Sequence, residues 1–180
     1  TVYYDGGTDV SLKDYTYTNA NVTIGGTSGI NFSLPGIKTF ASLTITSGNF
    51  RTVGYNFTVS GAVSNDDNFI VQGGETLTFT SGFDANSGTF VYKGDNDGVA
   101  DETFIVKDNG ATDYYNLNIN DNNATKDIFA LGANLNIAGL LTVASGTFQQ
   151  STYTIDTVGI TVSGGTLTGG SGAITNTGAV

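Results

Sequence analysis

Apolar and polar residues alternate along most of this chain. The pattern is clear in short segments such as 22–24, 43–45 and 141–143, where apolar side chains occupy every second position. A period of two residues is typical of a β-strand that buries one face. Many of these segments end at a turn-forming pair such as Ser47-Gly48. No segment has a convincing helical period, so the sequence predicts an all-β fold of many short strands.

The chain also contains an internal repeat. The segment 43–50, Leu-Thr-Ile-Thr-Ser-Gly-Asn-Phe, returns at 141–148 as Leu-Thr-Val-Ala-Ser-Gly-Thr-Phe. Weaker matches pair residues 1–4 with 89–92, Val22 and Ile24 with Leu117 and Ile119, Phe32 with Phe129, and Phe40 with Ile137. Self-similarity of this kind is typical of stacked repeats. We therefore predict two repeats, 1–88 and 89–180, that form one continuous stack.

Two architectures fit this pattern. The first is a β-solenoid, similar to a parallel β-helix, and the second is a pair of β-sandwich domains of about 90 residues each. Closely spaced strands, Gly/Ser/Asn corners and outward Thr and Asn residues favour the solenoid. Coils of roughly 20–25 residues would give about seven to nine coils, spaced about 4.8 Å apart.

The ends of such a stack are expected to associate with other molecules. A solenoid end exposes unpaired strand edges and the cross-section of the core, unless a polar cap or a helix covers it. Both ends of this sequence read as strands, without either device, which predicts end-to-end association with other copies of the chain. The residues predicted to make these contacts are Val2, Tyr3, Tyr4, Ile174, Thr175 and Thr177.

Composition and charge narrow the function. Sixteen acidic residues against six basic ones give a net charge of −10, which disfavours binding to nucleic acid or anionic membranes. No apolar run is long enough to span a membrane. The absence of Met and Cys removes easily oxidised side chains and favours an extracellular or cell-surface location. Because the chain begins with Thr, we expect a processed form or a segment of a longer protein.

One loop is a candidate metal site. The segment that begins at Lys93 resembles the calcium loops of EF-hand-like and thrombospondin-type repeats, in which alternate carboxylates surround a hard cation. Asp95, Asp97 and Asp101 are the predicted calcium ligands. Lys93 and Phe104 stand where that pattern has two further acidic ligands, and a solvated hairpin turn is the alternative interpretation. Two other acidic segments, 65–68 and 120–123, are predicted to be turns.

Catalysis is not predicted. The chain contains no His and no Cys, so the common nucleophilic triads cannot form. Most Asp and Glu residues fall in turn-like segments without a catalytic motif. The tyrosines at 3, 4, 15, 17, 114 and 115 are expected to fill the core or to form ladders. A sugar-stacking surface made by these tyrosines is the alternative.

Residues 114–148 carry a recognisable phrase order, Tyr-Tyr-x-Leu-x-Ile followed by Leu-Thr-Val-x-Ser-Gly-Thr-Phe, and residues 17–61 carry a weaker copy. This order resembles the tandem repeats of large secreted bacterial surface proteins and adhesins that are predicted to form β-helices. The resemblance implies a structural role as a stalk or filament. The alternative is an adhesin or carbohydrate-binding module that contacts surface glycans.

Overall fold

The computed structural model describes residues 1–121 and 123–178, and the described residues contain short strands and no helix. The strands are β1 (Val2–Tyr4), β2 (Val10–Ser11), β3 (Asn21–Gly25), β4 (Asn31–Ser33), β5 (Lys38–Phe40), β6 (Ser42–Ser47), β7 (Asn49–Arg51), β8 (Phe57–Val59), β9 (Val63–Asn65), β10 (Asn68–Val71), β11 (Leu77–Phe79), β12 (Thr89–Tyr92), β13 (Thr103–Val106), β14 (Asn116–Asn120), β15 (Ile128–Leu131), β16 (Leu135–Asn136), β17 (Leu140–Ser145), β18 (Thr147–Gln149), β19 (Ile155–Thr157), β20 (Gly159–Val162), β21 (Thr166–Thr168) and β22 (Ile174–Asn176).

These strands form a three-sided parallel solenoid of about nine coils. Face 1 holds β1, β3, β6 and β9, and then β16, β19 and β22 after an interruption. Face 2 is one continuous eight-stranded sheet, in the order β2, β4, β7, β10, β12, β14, β17, β20. Face 3 holds β5, β8 and β11, followed by β13, β15, β18 and β21. The chain visits faces 1, 2 and 3 in turn, so each coil contributes one layer to the stack. Among the described residues, no strand forms on face 3 between β2 and β3, or on face 1 between β11 and β12 and between β13 and β14.

The pairing register places apolar side chains directly above one another. On face 2, Phe32, Phe50, Phe69 and Phe90 are consecutive partners, and the column continues through Leu117, Leu141 and Ile160. The outward column beside it contains polar residues at many levels, as the alternation of strand side chains requires. The two-residue pattern in the sequence therefore corresponds to one wall of a shared core.

The backbone hydrogen bonds follow the same alternation. Residues with inward side chains direct their N–H and C=O groups to the following coil: Leu43 N–H donates to Ala62 O over 3.1 Å and Phe57 N–H donates to Thr76 O over 3.0 Å. Outward residues direct theirs to the preceding coil. On face 2 each interior coil is therefore bonded to both neighbours, whereas the sheets of face 1 and face 3 are interrupted between β9 and β16 and between β11 and β13.

Aromatic rings form a continuous chain through the core. Phe69 is fully buried and lies among five rings at centroid distances of 5.2 to 6.1 Å. These rings belong to Phe50, Phe57, Phe79, Phe83 and Phe90. Tilted and edge-to-face pairs of this kind add to the free energy gained by burial. The aromatic residues thus compensate for the modest 38% hydrophobic content of the chain.

The fold class predicted from the sequence is confirmed: the protein is an all-β solenoid. Every described strand pair is parallel, which the alternative of two antiparallel sandwiches does not allow. Face 2 runs without a break across the boundary between residues 88 and 89, through the pairing of β10 with β12.

The two sequence repeats do not occupy equivalent faces. Segment 43–50 covers β6 on face 1 and β7 on face 2, whereas its counterpart 141–148 covers β17 on face 2 and β18 on face 3. The match between 1–4 and 89–92 shows the same displacement, from face 1 to face 2. Coil length explains it, because neighbouring positions on face 2 are separated by 18 residues from Phe32 to Phe50 but by 27 from Phe90 to Leu117. The sequence repeat is therefore not a whole number of coils.

Replacing Phe69 with Ala should lower the free energy of unfolding by about 3–5 kcal/mol, because the cavity has five aromatic neighbours that cannot all collapse into it. Replacing Tyr55 with Ala is the control, since Tyr55 is 42% exposed and should change stability by about 0.5 kcal/mol or less. Urea unfolding followed by circular dichroism measures both. Equal losses for the two variants would contradict this account of the core.

Candidate functional sites

The first described coil ends the stack on one side. Val2, Tyr4 and Val10 are only half-buried, although their partners in the next coil, Val22, Ile24 and Phe32, are buried. Tyr3 is 71% exposed. The side chain of Tyr3 points away from the core. Its backbone N–H and C=O groups therefore point toward the end of the stack, away from β3. The predicted residues Val2, Tyr3 and Tyr4 thus form an accessible edge with apolar side chains behind it.

The last described coil ends the stack on the other side. Ile160, Leu167 and Ile174 lie directly on buried Leu141, Phe148 and Ile155, with one residue on each face. Ile160 and Leu167 are half-buried, and Ile174 is 43% exposed. All three apolar columns therefore reach the surface in this coil. Within residues 1–121 and 123–178, no segment covers them.

Backbone geometry at this end identifies which groups are available. Ala173 O accepts from Ile155 N–H over 2.9 Å, and Thr177 N–H donates to Thr157 O over 2.9 Å. Successive strand residues point to opposite sides, so the backbone groups of Ile174 and Asn176 face away from the stack. Of the residues predicted to make contacts at this end, Ile174 directs its backbone N–H and C=O groups away from the stack. Thr175 and Thr177 direct theirs toward the preceding strand, β19. Asn176 was not among the predicted contact residues.

A separate site lies at the corner between faces 2 and 3. Asp95, Glu102 and Asp127 each place a carboxylate oxygen within 4.8 Å of the other two. Of the predicted calcium ligands, only Asp95 belongs to this group. Asp97 Oδ1 accepts from Val99 N–H over 2.7 Å, and Asp101 N–H donates to Lys126 O over 2.8 Å. Glu102 and Asp127 were not among the predicted ligands. Asp127 lies in the following coil.

The surroundings of this acidic group are also acidic. Asp121 is fully buried, and its Oδ2 accepts from Asp127 N–H over 2.7 Å. Lys126 Nζ donates to the backbone carbonyls of Asp121, over 2.9 Å, and Asn123. The ammonium group of Lys126 is therefore hydrogen-bonded to backbone carbonyl oxygens. The 120–123 segment forms a corner as predicted, except for Asn122, which lies outside the described residues.

These surroundings raise the pKa values of Asp127 and Glu102. Burial, followed by the nearby carboxylates of Asp121 and Asp95, raises the pKa of Asp127 to about 6, after the Asp95 N–H has offset part of the rise. Burial also raises the pKa of Glu102, with contributions from Asp97 and Asp95. Both shifts show that negative charge is unfavourable in this corner without a compensating cation.

A cleft marks the interruption of face 3. The sheet that ends at β11 and the one that begins at β13 do not pair, and a cleft of about 430 Å³ opens between them. Its lining includes Glu75, Leu77, Tyr92, Ile105 and Lys107.

The tyrosines expected to fill the core or to form ladders are divided between the core and the exterior. Tyr17 and Tyr114 are buried, and Tyr114 packs on Phe90 with ring centroids 5.0 Å apart. Tyr3, Tyr15 and Tyr115 are exposed. The core therefore uses part of the set that a sugar-stacking surface would require.

Comparison with known proteins assigns no family: no family model matches the chain, and no curated protein or solved structure matches it significantly. In the described part of the chain, no helix has the length and apolar character required to cross a membrane.

The raised pKa of Asp127 predicts a pH dependence in the absence of divalent cations. The folded state keeps the proton up to about pH 6, whereas the unfolded state releases it near its ordinary value of 3.8. The stabilisation from this group is therefore complete below about pH 4 and is lost as the pH rises through 6. In EDTA, the melting temperature of Asp127→Asn minus that of the wild type should increase from pH 4 to pH 7. A difference that is constant across this range would contradict the shift.

Proposed function

We propose that this protein is a structural element of an extracellular filament or stalk, extended by head-to-tail addition of further coils at its two ends. The observation that carries the proposal is the open last coil, where three apolar columns meet no partner within the described residues. The first coil adds the free edge of β1 and the half-buried Val2, Tyr4 and Val10, although Leu12 and Tyr17 are buried there. The added coils belong to a second copy of the chain.

The two ends are complementary in position. Face 1 ends in β22 at one extremity and begins with β1 at the other, while face 2 ends in β20 and begins with β2. A second copy placed above the last coil would continue both faces as parallel strands. On one copy, the backbone groups of Ile174 and Asn176 point away from the stack. On the other copy, those of Tyr3 do so. This head-to-tail contact is heterologous and repeats without closing, which is the geometry of a filament.

Energetics favours a junction that uses both backbone and core. Complete burial of a Leu or Ile side chain contributes roughly 1.5–3 kcal/mol, and three such residues lie at the last coil. Association costs on the order of 4–15 kcal/mol in lost rigid-body freedom. The apolar contacts alone offset only part of that range, so the strand ladders must form as well. This requirement fixes the register and direction of joining.

Replacing Ile174 with Lys should weaken self-association by at least tenfold, because it places a charge on the apolar end of the stack. Leu140→Lys is the matched control, since Leu140 is 47% exposed, close to the 43% of Ile174, but lies on the side of the solenoid. Sedimentation velocity over a range of concentrations measures the association, and negative-stain microscopy shows its form. A wild-type chain that remains monomeric at high concentration would reject the proposal, as would equal weakening by both variants.

The extracellular location rests on composition, with no Cys or Met among 180 residues and a net charge of −10. A strongly acidic surface keeps an array soluble and limits lateral aggregation.

The face 3 cleft supports a second candidate function, the binding of surface glycans. Ile105, which is 57% exposed, offers apolar contact there, and Glu75 and Lys107 offer polar groups. A glycan array probed with wild type and Ile105→Glu tests this function. Saturable binding that the substitution abolishes would support an adhesin, and the absence of any bound glycan would exclude one within the array.

A further inference from the structure

We propose that Asp95, Glu102 and Asp127 bind one calcium ion, which fastens the long loop after β12 to the next coil. This site is separate from the two ends of the solenoid, and its test does not depend on end-to-end assembly.

The strongest observation is a buried carboxylate without a partner. Asp127 is only 2% exposed, and among the described residues no donor meets its Oδ1. Glu102 Oε2 is also buried and lacks a partner in this part of the chain. Buried polar atoms are normally hydrogen-bonded, and unpaired buried charge is costly. Two such oxygens in one acidic group therefore call for a bound cation.

The separation of the oxygens suits calcium. Oxygens bound to one Ca²⁺ lie about 2.3–2.6 Å from it, so two of them can be at most about 4.6–5.2 Å apart. The three carboxylates meet this limit, since their oxygens lie within 4.8 Å of one another. Mg²⁺ requires near-octahedral geometry, gives up its waters reluctantly and is usually held by only one or two carboxylates. Calcium also accepts irregular coordination, which allows the second carboxylate oxygens and water to complete its shell.

The backbone holds the ligands in place before the ion arrives. Ile128 N–H donates to Glu102 O over 2.7 Å, and Asp101 N–H donates to Lys126 O over 2.8 Å. These bonds fix Glu102 beside Asp127 at the start of the β13–β15 pair. Gly94 then brings Asp95 close: it has φ of 71°, and a Cβ atom there would lie 2.7 Å from Asp127 Oδ2. The loop approaches the neighbouring coil as closely as glycine permits.

In the described part of the chain, no Lys or Arg forms an ion pair with these carboxylates. Lys126 is the neighbouring basic residue in the corner, and its ammonium donates to the carbonyls of Asp121 and Asn123. Asp121 adds a fourth carboxylate, which is buried like that of Asp127. The corner therefore has a surplus of negative charge that a divalent ion would reduce.

Calorimetric titration of EDTA-treated, full-length protein with CaCl₂ tests the proposal. The wild type should bind one ion with a saturable isotherm, and its melting temperature should rise with calcium concentration. Asp127→Asn should weaken binding at least tenfold and should no longer be stabilised by calcium. Asp156→Asn is the matched control: it removes the same charge from an exposed residue of β19, and it should bind as the wild type does.

Glu102→Gln provides a second variant and should also weaken binding at least tenfold. Circular dichroism in EDTA establishes that each variant is folded. Three results would overturn the proposal: no heat and no thermal shift with calcium in the wild type, binding by Asp127→Asn equal to that of the wild type, or an equal loss in Asp156→Asn. Parallel titration with MgCl₂ should show weaker binding, and equal affinity for both ions would reject the assignment to calcium.

Discussion

The structure depends on parallel pairing in register between successive coils. This pairing places each inward side chain on its counterpart one coil earlier, so the core is a set of columns such as Phe32, Phe50, Phe69 and Phe90. Because inward residues bond forward and outward residues bond backward, each layer presents the same hydrogen-bonding surface to the next. A stack built in this way has no internal reason to stop. Its last described coil exposes the three apolar columns because it lacks a neighbour.

Much of the fold was accessible from the sequence. Alternation in segments such as 43–45 gave the strands, the Ser-Gly corners gave the turns, and the return of 43–50 at 141–148 indicated stacking. The sequence could not give the placement of the repeats on different faces. That displacement depends on the summed lengths of the intervening corners, which range from tight turns to the long 93–102 loop. Loop length is weakly constrained energetically, so no local pattern records it.

The candidate sites, like the fold, could be predicted from the sequence only in part. Alternating carboxylates drew attention to the 93–102 loop, and Asp95 does lie in an acidic group. Asp127 was missed because its proximity depends on the stacking of one coil on the next, and the sequence carries no signal of that register. At the last coil, the apolar character of Ile174 was visible in the sequence. The availability of Asn176 follows only from knowing which residues already bond to β19.

The central claim is that the outward backbone groups of the end coils pair with another copy. Amide hydrogen exchange at individual residues tests it most directly. The amides of Ile174 and Asn176 should exchange rapidly in dilute protein and become protected as concentration rises. Thr177, which already donates to Thr157, should gain much less protection. Exchange at Ile174 and Asn176 that is independent of protein concentration would contradict the account.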